Sequence, residues 1–189
     1  MTDGVTNHEV VSIYPLDPEQ IEELCTKASE CVLNWSTQDS WPVGVMHSFV
    51  WKNGRFWITA GAHRHRIAAI RRNPKVSVVL SSAATGRGPG QTLTVKGRAV
   101  LHEDQETKDW FYPALAYKGL EGPAAEDFVK RLDSPLRVII EVVPEKWITF
   151  DGQKMALDTA GTLTDEQKGP MLESDRIRLV RELDRRGIS

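Results

Sequence analysis

Residues 59–74 read Thr-Ala-Gly-Ala-His-Arg-His-Arg-Ile-Ala-Ala-Ile-Arg-Arg-Asn-Pro. His63, Arg64, His65 and Arg66 gather where a strand-like run over residues 55–59 gives way to a short helical pattern. Free backbone N–H groups and the positive end of a helix dipole favour an anion at such a junction. Arginine adds planar, paired donors that match phosphate. Cations in a first helical turn oppose the dipole, so Arg64 and Arg66 ask for a counter-anion. Arg71 and Arg72 fall in the last turn, where positive charge suits the dipole and needs no ligand. The chemistry on offer is capture of a phosphate-bearing ligand at the end of a strand. A solvated basic helix face is the competing reading.

Other reactive residue types are less suggestive. His63 and His65 lack the four-residue spacing that puts two metal ligands on one helix face. Cys25 and Cys31 match no compact metal motif and read as reduced, half-buried thiols. Residues 83–90 are glycine-rich but lack the Gly-Lys-Ser/Thr ending of a phosphate loop, so they read as a mobile connection that can also cover substrate. Trp41, Trp51 and Trp57 surround an Asn53-Gly54 pair. Packing accounts for them, with Trp41 the candidate stacking wall for a planar ring. His47 and Tyr117 are able to donate a proton, against an ordinary packed or surface role.

These side chains need elements to hold them. Asp17-Pro18-Glu19 starts a helix that carries Ile21, Leu24, Cys25 and Ala28 on one face and ends near Glu30. Strands are expected over 31–35, 42–51, 56–60, 76–80, 92–102 and 136–143, resuming over 146–151 after Pro144. Asn53-Gly54 is a hairpin signal, so 42–51 should pair antiparallel with 56–60. Gly97 marks a bulge or close approach. Helices are expected over 65–72, 103–117 and 124–132. Residues 152–163 read as loosely structured, and 164–186 as charged and largely helical with a break near Gly169-Pro170. The helices are too few for a doubly wound parallel sheet. The fold class is mainly β with flanking helices, a small antiparallel barrel. The organisation expected is a loose leader (1–16), a core domain (17–151) and a C-terminal helical extension (152–189).

The chain has 189 residues, 40% hydrophobic and 26% charged, with a net charge of −2. That balance does not advertise nucleic-acid or membrane binding. There is no apolar signal region and no run of the roughly 20 apolar residues that spans a bilayer. A cytoplasmic protein is expected.

Several of these segments together resemble a known family. They are Pro42-Val43-Gly44-Val45-Met46, residues 51–59, Arg64-His65-Arg66, residues 72–79 and residues 93–99. They look like the pyridoxamine 5′-phosphate oxidase-like split-barrel superfamily of FMN and deazaflavin enzymes. The resemblance implies a six-stranded antiparallel split β-barrel that forms a homodimer with cofactor sites at the subunit interface. It implies a cofactor phosphate on Arg64 and Arg66, with His65 as an accessory. Trp41, Val43, Gly44, Val45, Met46, Ile58, Thr59 and Ala60 would run beside the ring system and its tail. One departure stands out: Val43 and Ser48 fall near the places where the true oxidases carry Arg and Lys. The weight shifts to the deazaflavin branch, whose Arg-x-Lys is matched by Arg64-His65-Arg66. The expected function is an oxidoreductase that uses coenzyme F420 or FMN to pass hydride to or from an unsaturated small molecule, with no nucleic-acid or membrane partner. A non-catalytic flavin- or haem-binding split-barrel protein is the alternative.

Overall fold

Alternation of β-branched or aromatic residues with polar ones builds the strands. In the computed structural model, which describes residues 10–85 and 90–188, they are β1 (Glu30–Ser36), β2 (Pro42–Ser48), β3 (Val50–Lys52), β4 (Arg55–Gly61), β5 (Lys75–Ser81), β6 (Gln91–His102) and β7 (Arg137–Asp151). They form one antiparallel sheet of seven strands in the order β2-β1-β5-β6-β7-β4-β3. Only Phe49 separates β2 from β3, so the two ends of the sheet are consecutive pieces of one run. The sheet therefore curls into a half-barrel. Counted as one bent strand, β2 and β3 restore the expected six.

The bend corrects one expected pairing. Asn53 and Gly54 do turn a hairpin, with φ of +54° and +71°. Only Val50, Trp51 and Lys52 pair across it, however, with Trp57, Phe56 and Arg55. Phe49 is fully buried and packs 5.6 Å from the Phe56 ring. At that point the run leaves β4, and residues 42–48 pair with β1 instead, His47 opposite Cys31 and Val43 opposite Trp35. From Ile58 onward β4 pairs only with β7 among the described residues. One edge of β2 and one edge of the far half of β4 are thus left open. This gap is the split of the barrel.

The inner face of the sheet carries Leu33, Phe56, Ile58, Val78, Leu93, Val95, Ile140 and Val142, all fully buried. Helix α1 (Pro18–Lys27) closes on this core through Leu24 and Cys25, and α2 (His65–Arg72) through Ile67, Ala69 and Ile70. A second core lies outside the barrel. There α3 (Gln105–Ala116) and α4 (Gly122–Leu132) set Phe111, Tyr112, Leu115 and Leu132 against Ile139, with Trp57 and Trp110 at its rim.

Pro144 does not end β7, because the bulge expected at Gly97 lies opposite it. A side chain at Gly97 would stand 2.4 Å from the Val143 carbonyl oxygen. Glycine is what lets the backbones approach.

Parts of two segments expected to be loose are ordered, although residues 1–9 of the expected leader lie outside the described residues. Tyr14 and Leu16 are buried, and Asp151 N–H donates to the Tyr14 carbonyl at 2.8 Å. Residues 10–16 thus pack along the end of β7. Residues expected to be loose after Asp151 form α5 (Gly152–Thr159), because the Asp151 carboxylate caps Gln153 and Lys154 N–H. The loop expected over 83–90 lies partly outside the described residues; Ser82–Ala84 form a short 3₁₀ turn. Helix α6 (Glu173–Arg186) buries no residue and is laced by its own pairs, such as Arg176–Glu173 and Arg186–Glu182. Among the described residues, no helix is long and apolar enough to cross a membrane.

Candidate functional site

The open edges of β2 and β4 lead to a cavity of about 290 Å³. Thr59, Ala60 and Gly61 bring the end of β4 to it, and His63, Arg64 and Arg66 the start of α2. His47 reaches it from β2, and Ser134, Leu136 and Arg137 from the α4–β7 connection. Main-chain bonds fix this junction: Arg64 N–H donates to the Gly61 carbonyl at 3.0 Å and Ala62 N–H to the Leu136 carbonyl at 2.7 Å. At Gly61 a Cβ would lie 2.8 Å from the His63 ring, so glycine is what lets that imidazole fold back over the strand end. Arg64 occupies the N-cap of α2 and offers no side-chain acceptor to the first turn.

The lining holds three arginines and two histidines, and among the described residues no carboxylate. Arg66 is half-buried, and its Nε is shielded from water with no hydrogen-bond partner. Burial first, and then the charge of Arg64, pushes its pKa down. The guanidinium also lies 5.7 Å from the centre of the Trp35 ring. His47 Nε2 is likewise buried and without a partner. Burial, then the charge of Arg66, lowers its pKa to about 4, so it is neutral at pH 7. An unsatisfied buried polar group costs about 1–3 kcal/mol, and a charged one more. Both shifts come first from burial, with a neighbouring arginine adding to it, and both loose nitrogens would be satisfied by an anion. A phosphate group fits this donor set.

Of the residues expected to hold a cofactor, the cavity gathers Arg64, Arg66, Thr59 and Ala60. Thr59 Oγ1 donates to the Val138 carbonyl at 2.9 Å, which leaves its lone pairs for other donors. Ile58 is fully buried in the barrel core, so only its backbone can face the split. His65 is exposed on α2, outside the cavity. Val43 and Val45 are half-buried against the core, whereas Gly44 and Met46 point to the outer face of β2, Met46 being 54% exposed. Trp41 is 66% exposed in the β1–β2 turn, where Thr37 N–H donates to its carbonyl at 2.9 Å. None of these β2 and turn residues lines the cationic cavity. Arg137 and Ser134 carry no local motif; antiparallel pairing of Arg137 with Gly61 brings them in.

The remaining candidates fall away from the site. Tyr117 is exposed at the end of α3 and does not line the cavity. Cys25 and Cys31 are buried free thiols whose pKa values burial pushes up to about 12, so neither is a nucleophile at neutral pH. Among the described residues, no cluster of three His, Cys, Asp or Glu side chains is placed to hold a metal.

A second Arg–His cluster is neutralised. Glu141, 4% exposed on the outer face of β7, accepts a hydrogen bond from Arg55 and pairs with His102 Nε2 at 2.8 Å. Burial opposes its ionisation, but the bonds from Arg55 and His102 outweigh that and hold its pKa below the usual carboxylate range. The Trp57 ring packs 5.4 Å from that of His102.

The sequence profile of the pyridoxamine 5′-phosphate oxidase family matches residues 17–151. The chain belongs to this family. Its fold recurs in solved structures. A conserved hypothetical protein of Mycobacterium tuberculosis superposes with a TM-score of 0.67 at 18% identity, over 77% of this chain and 91% of that one. An F420 reductase superposes with a TM-score of 0.54 at 22% identity, over 67% and 94%. A FAD-binding protein of Mesorhizobium loti gives 0.54 at 18%, over 71% and 94%. At these identities the likeness establishes the split-barrel fold of the pyridoxamine 5′-phosphate oxidase family member and no more. No curated protein matches the sequence.

Proposed function

We propose that this family member is an oxidoreductase that holds coenzyme F420 or FMN by its phosphate on Arg64 and Arg66, with Arg137 as a third cation. The observation that carries this reading is the unpartnered Arg66 Nε in a cavity lined by arginine and histidine without a carboxylate. When bound, such a cofactor supplies hydride transfer to or from an unsaturated small molecule. The chain's own part is to bind, orient and exclude water. Arg64 and Arg66 anchor the anion, and the open edges of β2 and β4 offer main-chain donors and acceptors along the split. Val43 and Ser48 are uncharged where the true oxidases use Arg and Lys, which argues against pyridoxamine phosphate as the substrate and favours the deazaflavin.

We assign cofactor binding to residues 17–151, treat 152–189 as a helical extension, and place the working form as a cytoplasmic homodimer. The dimer rests on the family resemblance, and two buried free thiols suit a reducing compartment. The test is a fluorescence titration with FMN and with F420. One of them should bind with Kd below about 100 μM, and binding of neither overturns the reading. The bound cofactor, once reduced, should turn over with at least one member of a panel of unsaturated acceptors. Binding without turnover would make the protein a carrier.

A further inference from the structure

We propose that His47 is a ligand-holding residue of the cationic cavity and takes up a proton when an anion binds there. This rests on the reading of the cavity as an anion site, and adds a residue and a coupling which that reading does not require.

The geometry starts from β2. Val43, Val45 and His47 alternate toward the inner face, and of the β2 side chains only His47 lines the cavity. Its Nε2 and the Nε of Arg66 come from different elements, border the same space, and are both buried without a partner. Neither nearby hydroxyl bonds these nitrogens: Thr59 Oγ1 donates to the Val138 carbonyl, and Ser134 Oγ accepts from Leu136 N–H. An anionic oxygen satisfies both nitrogens at once. Neutral imidazole has a single N–H, whereas protonated imidazole donates from both nitrogens. An anion therefore gains an assured donor at Nε2 and a positive charge if His47 protonates.

The surroundings explain why this happens on binding and not before. Arg64 and Arg66 face His47 from α2, His63 from the preceding turn, and Arg137 from the start of β7. Across the β1 ladder stands Cys31, whose buried thiol is neutral. No negative group among the described lining residues opposes these cations. In the free protein burial and the charge of Arg66 hold the His47 pKa near 4. A bound dianion offsets most of that positive charge and adds an acceptor at Nε2, which raises that value. Proton uptake on binding makes affinity rise as pH falls, by at most about tenfold per unit for one proton.

The test uses sulfate, which stays doubly charged across the range, as a competitor of FMN from pH 5 to 8. FMN alone is unsuitable, because its own phosphate takes a proton near about pH 6. Sulfate affinity in the wild type should rise at least about threefold per unit as pH falls from 7 to 5. His47→Gln should flatten that slope, while His63→Gln keeps it. Calorimetry of sulfate binding to the wild type in two buffers of different ionisation heat gives the proton count without any variant. Uptake of a sizeable fraction of a proton is expected. No uptake, or a slope lost in His63→Gln and kept in His47→Gln, overturns the proposal. If Arg64→Ala with Arg66→Ala leaves sulfate and FMN binding intact, the anion-site reading itself fails. If that double variant loses binding while wild type and His47→Gln share one slope, only the role of His47 fails.

Discussion

Two clusters in this molecule combine arginine with histidine, and they differ in one group. On the outer face of the sheet, Glu141 sits between Arg55 and His102 and satisfies both. At the split, Arg64, Arg66, Arg137, His47 and His63 converge without a carboxylate among the described lining residues. The first cluster is finished by the chain itself, so it belongs to stability. The second leaves two buried nitrogens unsatisfied and lowers the pKa of Arg66 and His47. Basic residues alone do not mark a ligand site; basic residues whose counter-charge the fold withholds do.

Removing the counter-charge from the finished cluster gives the largest effect. Glu141→Ala should lower unfolding free energy by about 2–3 kcal/mol, less than a fully buried pair because Arg55 is half exposed. A denaturant midpoint reads this, and cofactor affinity should not change.

Arg66→Ala should do the reverse. Cofactor affinity drops about tenfold or more, since charged hydrogen bonds contribute about 1.5–3 kcal/mol each. Stability of the free protein stays within about 1 kcal/mol, because a buried unpaired group goes along with a modest contact to Trp35. If Arg66→Ala were as damaging to stability as Glu141→Ala, the distinction between the clusters would collapse.

Arg137→Ala should weaken the cofactor several-fold, which tests whether the third cation belongs to the site.

The smallest effect is in the pH dependence of the free protein. The His47 pKa falls from 6.5 unfolded to about 4 folded. The unfolded chain binds more protons in that window, so stability is full above pH 6.5 and is lost as pH falls toward 4. Partial exposure attenuates the loss. His47→Gln should flatten this part of the stability curve, measured by chemical denaturation at each pH.

Local signals were legible and distant ones were not. Helix α2 spans His65–Arg72 as expected, because Asn73-Pro74 stops it and a strand run precedes it. Gly97 announces its bulge by type and place. Arg64, Arg66, Thr59 and Ala60 belong to one strand–turn–helix segment, so their nearness is written in sequence order. The departure of β2 from β4 at Phe49 carries no glycine or proline signal, since a buried phenylalanine looks like any other strand residue. Arg137 enters the cavity only through its register with Gly61, and His47 only through the inward alternation of β2 once that strand pairs with β1. The helix after Asp151 was hidden because its capping residue also ends a strand.

The central claim is that Arg64 and Arg66 hold the phosphate of a flavin-type cofactor. Equilibrium titration of FMN and F420 against the wild type and the Arg64→Ala, Arg66→Ala double variant tests it most directly, with folding of the variant checked by its denaturant midpoint. The account predicts a loss of affinity of about a hundredfold or more in a folded variant. An affinity within a factor of about two of the wild type would contradict it.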